Sequence, residues 1–103
     1  MMDSEILTSS VAIHAGIFCK TWTIHGRGVE LPQHVHQWPH ITLVQRGSVL
    51  VTRGGTELGS FHEGDHINIR ANEPHTFYTL TDFTRLSCVH STHFASVDDL
   101  RED

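Results

Sequence analysis

Turn signals recur along this chain about every eight to twelve residues, and the segments between them are too short for helices of ordinary length. Those segments run Ile17 to Ile24, Ile41 to Gln45, Ser48 to Arg53, Glu57 to Phe61, His66 to Ile69, His75 to Leu80 and Phe83 to Val89, and they are rich in Val, Ile, Thr, Phe and Tyr. Side chains of that kind pack well on a pleated surface. Gly54-Gly55 reads as a two-residue hairpin, and Arg46-Gly47-Ser48, Glu63-Gly64-Asp65 and Ala71-Asn72-Glu73-Pro74 read as further reversals. About seven or eight strands follow, and their cadence predicts an all-β antiparallel sandwich or barrel.

A length of 103 residues suits one core, and no linker, repeat or charge run divides it, so residues 1–103 read as a single domain. Residues 1–10 have no clear period and are expected to be an arm or an edge strand. At the other end, Ser96-Val97-Asp98-Asp99-Leu100 offers a Ser cap and first-turn acids, but residues 96–103 are too few for more than a frayed helical tail.

Seven Lys and Arg against twelve Asp and Glu give a net charge of -5, which disfavours nucleic acid, since tracking phosphates requires a cation excess. No apolar run approaches the roughly 18 residues of a membrane span, and Met1-Met2-Asp3-Ser4-Glu5 is acidic where a signal peptide is basic. A cytoplasmic protein without a membrane partner is expected. Cys19 and Cys88 stand apart with no CxxC spacing and read as free thiols.

Histidine is the outlier, with ten in the chain. Imidazole is the commonest protein metal ligand, so the excess points towards metal or proton chemistry. In an extended chain His34 and His36 project to one face, and His40 keeps that parity if a strand resumes after Pro39. His75, after Pro74, opens another strand that sheet pairing can bring opposite.

Those residues resemble the first cupin motif, which reads Gly, five residues, His, any residue, His, three or four residues, Glu, six residues, Gly. Gly28, His34, His36 and Gly47 occupy its positions, and His40 stands where the Glu is expected. The second motif is matched more loosely: Gly64 and His75 register, whereas Arg70, Asn72 and Thr79 replace its Pro, Gly and Asn. The resemblance spans roughly Gly28 to Thr79. It implies a cupin-type β-barrel, the jelly roll also described as a double-stranded β-helix. It further implies one divalent transition metal with His34, His36 and His75 as ligands by position, and His40 joins them on chemical grounds, since imidazole can occupy the coordination position of the Glu it replaces; Fe or Mn stand foremost, with Ni, Zn or Cu as metals the isolated protein can carry.

The His-for-Glu exchange shapes the expected chemistry. Four neutral imidazoles leave a divalent ion its full +2 charge, which favours anionic ligands, and no carboxylate ligand is present to act as a base. The leading expectation is an Fe(II)- or Mn(II)-dependent dioxygenase acting on a small dicarbonyl, enolisable or phenolic compound. A non-catalytic small-molecule sensor cupin is the alternative. A metal-assisted isomerase or lyase comes third, because it needs an acid or base and only His66, His90 and Tyr78 present themselves.

Trp38 and Phe77 read equally as pocket walls or core. Cys88 shares a strand face with Thr84, Leu86 and His90, which places it as a pocket candidate. His62 and His66 flank a turn and read as exposed loop residues, as His14 and His25 read as surface; His90 reads first as structural. A homodimer is also expected, with Ile6-Leu7 and Val11-Ala12-Ile13 adding to a partner's sheet.

Overall fold

A computed structural model describes residues 6–31 and 37–94 of the chain. Among the described residues nine strands follow in order: β1 (Leu7–His14), β2 (Ile17–His25), β3 (Glu30–Leu31), β4 (His40–Arg46), β5 (Ser48–Arg53), β6 (Thr56–His62), β7 (His66–Ile69), β8 (His75–Thr79) and β9 (Phe83–Ser91), then a 3-10 turn at Thr92–Phe94. Every pairing is antiparallel. One sheet runs β1-β2-β9-β4-β7 and the other β3-β8-β5-β6. The all-β, jelly-roll expectation holds. Among the described residues no helix is long and apolar enough to cross a membrane.

Alternation decides which face of each strand turns inward. On β4, His40, Thr42 and Val44 are buried while Ile41, Leu43 and Gln45 are exposed. On β8, His75, Phe77 and Thr79 are buried with Thr76 and Tyr78 between them. The two inner faces close on Ile24, Leu31, Val44, Val49, Val51, Ile67, Ile69, Phe77 and Leu86. Burying a side chain of this size stabilises by about 1.5 to 3 kcal/mol, so this cluster is the main favourable contribution to the fold.

The turns follow their residue types. Gly54 and Gly55 have φ of 55° and 85°, and Ala15 and Gly16 have 52° and 76°, so each pair closes a hairpin in the left-handed region that matches strand twist. Gly47 has a different reason. It sits at φ 78°, and a Cβ there would collide with the Phe83 carbonyl and the Thr81 hydroxyl, where the β4–β5 and β8–β9 turns touch.

One strand was not expected, and another settles the choice between arm and edge strand at the N-terminal run. β3 is only two residues long, set opposite Tyr78 and Phe77. β1 pairs along its whole length with β2 of its own chain, from Leu7 opposite Ile24 to His14 opposite Ile17. Leu7 packs on the core, but Val11 and Ile13 remain 47% and 39% exposed, because β1 overhangs the narrower second sheet. Residues 1–5, and the 96–103 tail expected to be a helical stub, lie outside the described residues.

Candidate metal centre

One end of the sandwich collects inward-facing rings. His40 opens β4 with its Cα opposite that of Ile69 on β7, and residues 70–74 alone separate Ile69 from His75 at the start of β8. His90, near the end of β9, lies opposite Phe18 on β2. His40, His75 and His90 are 6%, 1% and 7% exposed. The two sheets thus bring His40 and His75 to the same mouth from opposite walls.

The backbone fixes the tautomer of His75. Its Nδ1 lies 3.0 Å from the carbonyl oxygen of Glu73, which can only accept, so Nδ1 carries the proton. In the neutral ring Nε2 is then the acceptor, fully buried and with no hydrogen-bond partner among the described residues. A buried acceptor left in this way costs about 1 to 3 kcal/mol. A metal ion is the partner that arrangement suits, since ligating imidazoles generally donate their other ring N–H to a carbonyl or carboxylate.

The loop supplying that carbonyl is braced. Arg53 Nε lies 3.6 Å from one Glu73 carboxylate oxygen and Arg70 Nη1 lies 3.7 Å from the other. Asn72 takes the left-handed turn at φ 62°, and the Gly54 amide donates to the Pro74 carbonyl at 3.1 Å. Arg70 therefore serves the loop as an ion-pair partner.

His90 is held between aromatic rings. Phe18 stacks on it at 4.6 Å between centroids and 22° between planes, Trp38 meets it at 5.4 Å and 50°, and its Nδ1 donates to the Ser91 carbonyl at 2.9 Å. Farther in, the Thr42 hydroxyl lies 3.5 Å from Cys88 Sγ across the β4–β9 pairing.

Comparison with known proteins addresses the fold. No family model matches the sequence, and no curated protein matches it. Solved structures do: KdgF from a Halomonas species superposes with TM-score 0.73 at 16% identity over 88% of this chain and 83% of its own. An RmlC-like cupin with a double-stranded β-helix fold from Methanocaldococcus jannaschii gives 0.72 at 14% identity, covering 88% and 84%. A Cupin 2 conserved barrel domain protein from Salinispora arenicola gives 0.69 at 18%, covering 93% and 83%. This chain has the fold of a small cupin domain.

Within this fold His40 and His75 are both buried at the same end of the barrel. His34 and His36 lie outside the described residues; the chain leaves that description after Leu31, opposite Phe77, and re-enters at Gln37. Among the described residues no three His, Cys, Asp or Glu groups lie close enough together to hold a metal. His90, Trp38 and Cys88 lie on or beside the mouth. Phe77 is a core residue, 1% exposed, on the same face as His75.

Two candidates require correction. Tyr78 sits between buried Phe77 and Thr79, so alternation turns it to the outer face of its sheet, in register with Glu30 and Leu50. His66 is exposed beside buried Ile67 and pairs with outward-facing Leu43, so it too faces away from the interior. Neither reaches the mouth as an acid or base. Phe18 and the Glu73 carbonyl were not anticipated, although the parity of Phe18 with Ile24 on β2 already placed it inside.

Proposed function

We propose that this cupin binds one divalent transition metal through His34, His36, His40 and His75, and that it is a dioxygenase for a small dicarbonyl, enolisable or phenolic compound. The observation that carries the metal reading is His75, whose Nδ1 proton is committed to the Glu73 carbonyl while Nε2 is buried as a bare acceptor. The donor set is consistent with Fe or Mn and with the other imidazole-binding metals Ni, Zn and Cu.

When bound, the metal supplies Lewis-acid and redox chemistry. The residues of the chain do the rest. The imidazoles bring no negative charge, so the site favours an anionic ligand more strongly than a set containing a carboxylate. Phe18, Trp38 and the His90 ring form an aromatic wall that limits water at the mouth. The Glu73 carbonyl, braced by Arg53 and Arg70, keeps the His75 ring in one orientation.

Proton-shuttling chemistry has less support. Of the three acid or base candidates, Tyr78 and His66 face outward, and His90 alone stays on the inner face at this end. The test is oxygen consumption by untagged protein loaded with Fe(II) or Mn(II) and offered diketones and catechols. Uptake that depends on both metal and compound supports the dioxygenase. Tight compound binding without uptake contradicts it and favours the sensor.

A further inference from the structure

The 70–74 turn carries more positive charge than its own ion pairs consume. Arg53 Nε and Arg70 Nη1 approach the two oxygens of one Glu73 carboxylate, at 3.6 and 3.7 Å, so two guanidinium groups share a single negative charge. At 3.7 Å the Arg70 contact is longer than a hydrogen bond. The Arg70 side chain is also 72% exposed, and its planar fork of N–H groups remains open to a second carboxylate.

Strand parity sets what surrounds that fork. On β7, Ile67 and Ile69 are buried while His66 and Asn68 are exposed, and Arg70 is the next residue of outward parity. Asn68 pairs with Ile41 on β4, which pairs in turn with Val89 on β9. Ile41 is 43% exposed. These side chains and Pro39 line a cleft of about 340 Å³ at the end of the five-stranded sheet. That volume is at the lower end of the range for small-molecule pockets, roughly 300 to 1,000 Å³. Among the described residues of its lining Arg70 alone bears a fixed charge, and His40 and His90 stand at its back.

We infer that this cleft binds a small monocarboxylate with a compact apolar body, its carboxylate on the Arg70 guanidinium and its body against Pro39, Ile41 and Val89. Neither half suffices alone. An exposed Arg–carboxylate pair contributes little in water, and a body this small buries little surface. Joined in one molecule, the second contact forms without a further loss of translational freedom, and the two reinforce each other. Charge limits the ligand further: one open guanidinium on a chain of net charge -5 favours a single negative charge over a polyanion. The site lies beside the candidate metal centre, goes beyond the proposed dioxygenase reading and needs no metal ion.

The experiment is an amide chemical-shift titration of the full chain with phenylacetate, 2-phenylethanol and acetate. Phenylacetate should shift Ile41, Asn68 and Val89 with a Kd of about 1 mM or tighter. 2-Phenylethanol lacks the charge and acetate lacks the body, so each should bind at least about fivefold more weakly. Arg70→Gln should weaken phenylacetate by a similar factor and leave 2-phenylethanol unchanged. Glu73→Gln removes the carboxylate that competes for Arg70 and should tighten phenylacetate, whereas a role of Arg70 confined to bracing the turn predicts a loss in both variants. Each titration is run on metal-stripped protein and again with one equivalent of Zn(II), and binding should persist in both, which keeps this test separate from the metal reading. No shift by about 20 mM phenylacetate, about ten times weaker than the affinity expected, overturns the inference. So does 2-phenylethanol binding as tightly as phenylacetate, phenylacetate binding lost in Glu73→Gln, or binding seen only with Zn(II).

Discussion

The carbonyl oxygen of Glu73 accepts the Nδ1 proton of His75 at 3.0 Å, and this contact fixes which nitrogen of a buried histidine is left to accept. The ring is held by backbone two residues away, so its orientation is set by the 70–74 turn.

His75→Ala should lower metal affinity at least about tenfold, as removal of a ligand or of its orienting partner does. Glu73→Ala keeps the carbonyl and loses only partly exposed ion pairs, so it should cost less than about 1 kcal/mol of stability and leave metal stoichiometry unchanged. Calorimetric titration with Mn(II) and a denaturant melt of each variant check this. Equal losses of affinity in the two would mean that the side chain, not the carbonyl, positions the ring.

His40→Glu restores the ligand type of the common motif and lowers the formal charge of the site by one. Metal should stay bound, while affinity for a small dicarboxylate or enolate analogue falls. Competition binding to the metal-loaded variant measures it, and unchanged anion affinity would count against the charge argument.

Gly47→Ala should destabilise the fold by more than about 2 kcal/mol, since it adds a clash with the Phe83 carbonyl and the Thr81 hydroxyl to the strain of a left-handed residue. Gly55→Ala, at φ 85° with open space around it, should cost only about 1 kcal/mol. Urea midpoints of the two variants give the comparison.

Phe18→Ala removes a ring that is 1% exposed and stacked on His90, and should cost about 3 to 5 kcal/mol. Phe18→Leu should keep the fold but loosen His90, which ring-proton line widths in NMR spectra would show.

Seven strands were legible in the sequence because each combines a period of two with turn residues at its ends. β1 was less clear: Ser9 and Ser10 interrupt its apolar pattern, and an overhanging edge strand has little core to face. β3 is too short to show a period at all. Spacing named His40 and His75 as candidates and both are buried, whereas Tyr78, named as an acid or base candidate, faces outward, because adjacent residues of a strand point to opposite faces and burial of His75, Phe77 and Thr79 decides between them. Phe18 and His90 illustrate the remaining gap. Parity places each on an inner face, but their stacking depends on the β2–β9 register, which no local pattern encodes.

The most direct test is the metal content of the untagged protein, purified without chelator, beside its His34→Ala/His75→Ala double variant. The account predicts close to one equivalent of a single divalent transition metal per chain in wild type, and little or none in a double variant that retains its strand content. A wild-type protein that takes up no metal, or a folded double variant that keeps a full equivalent, would contradict it.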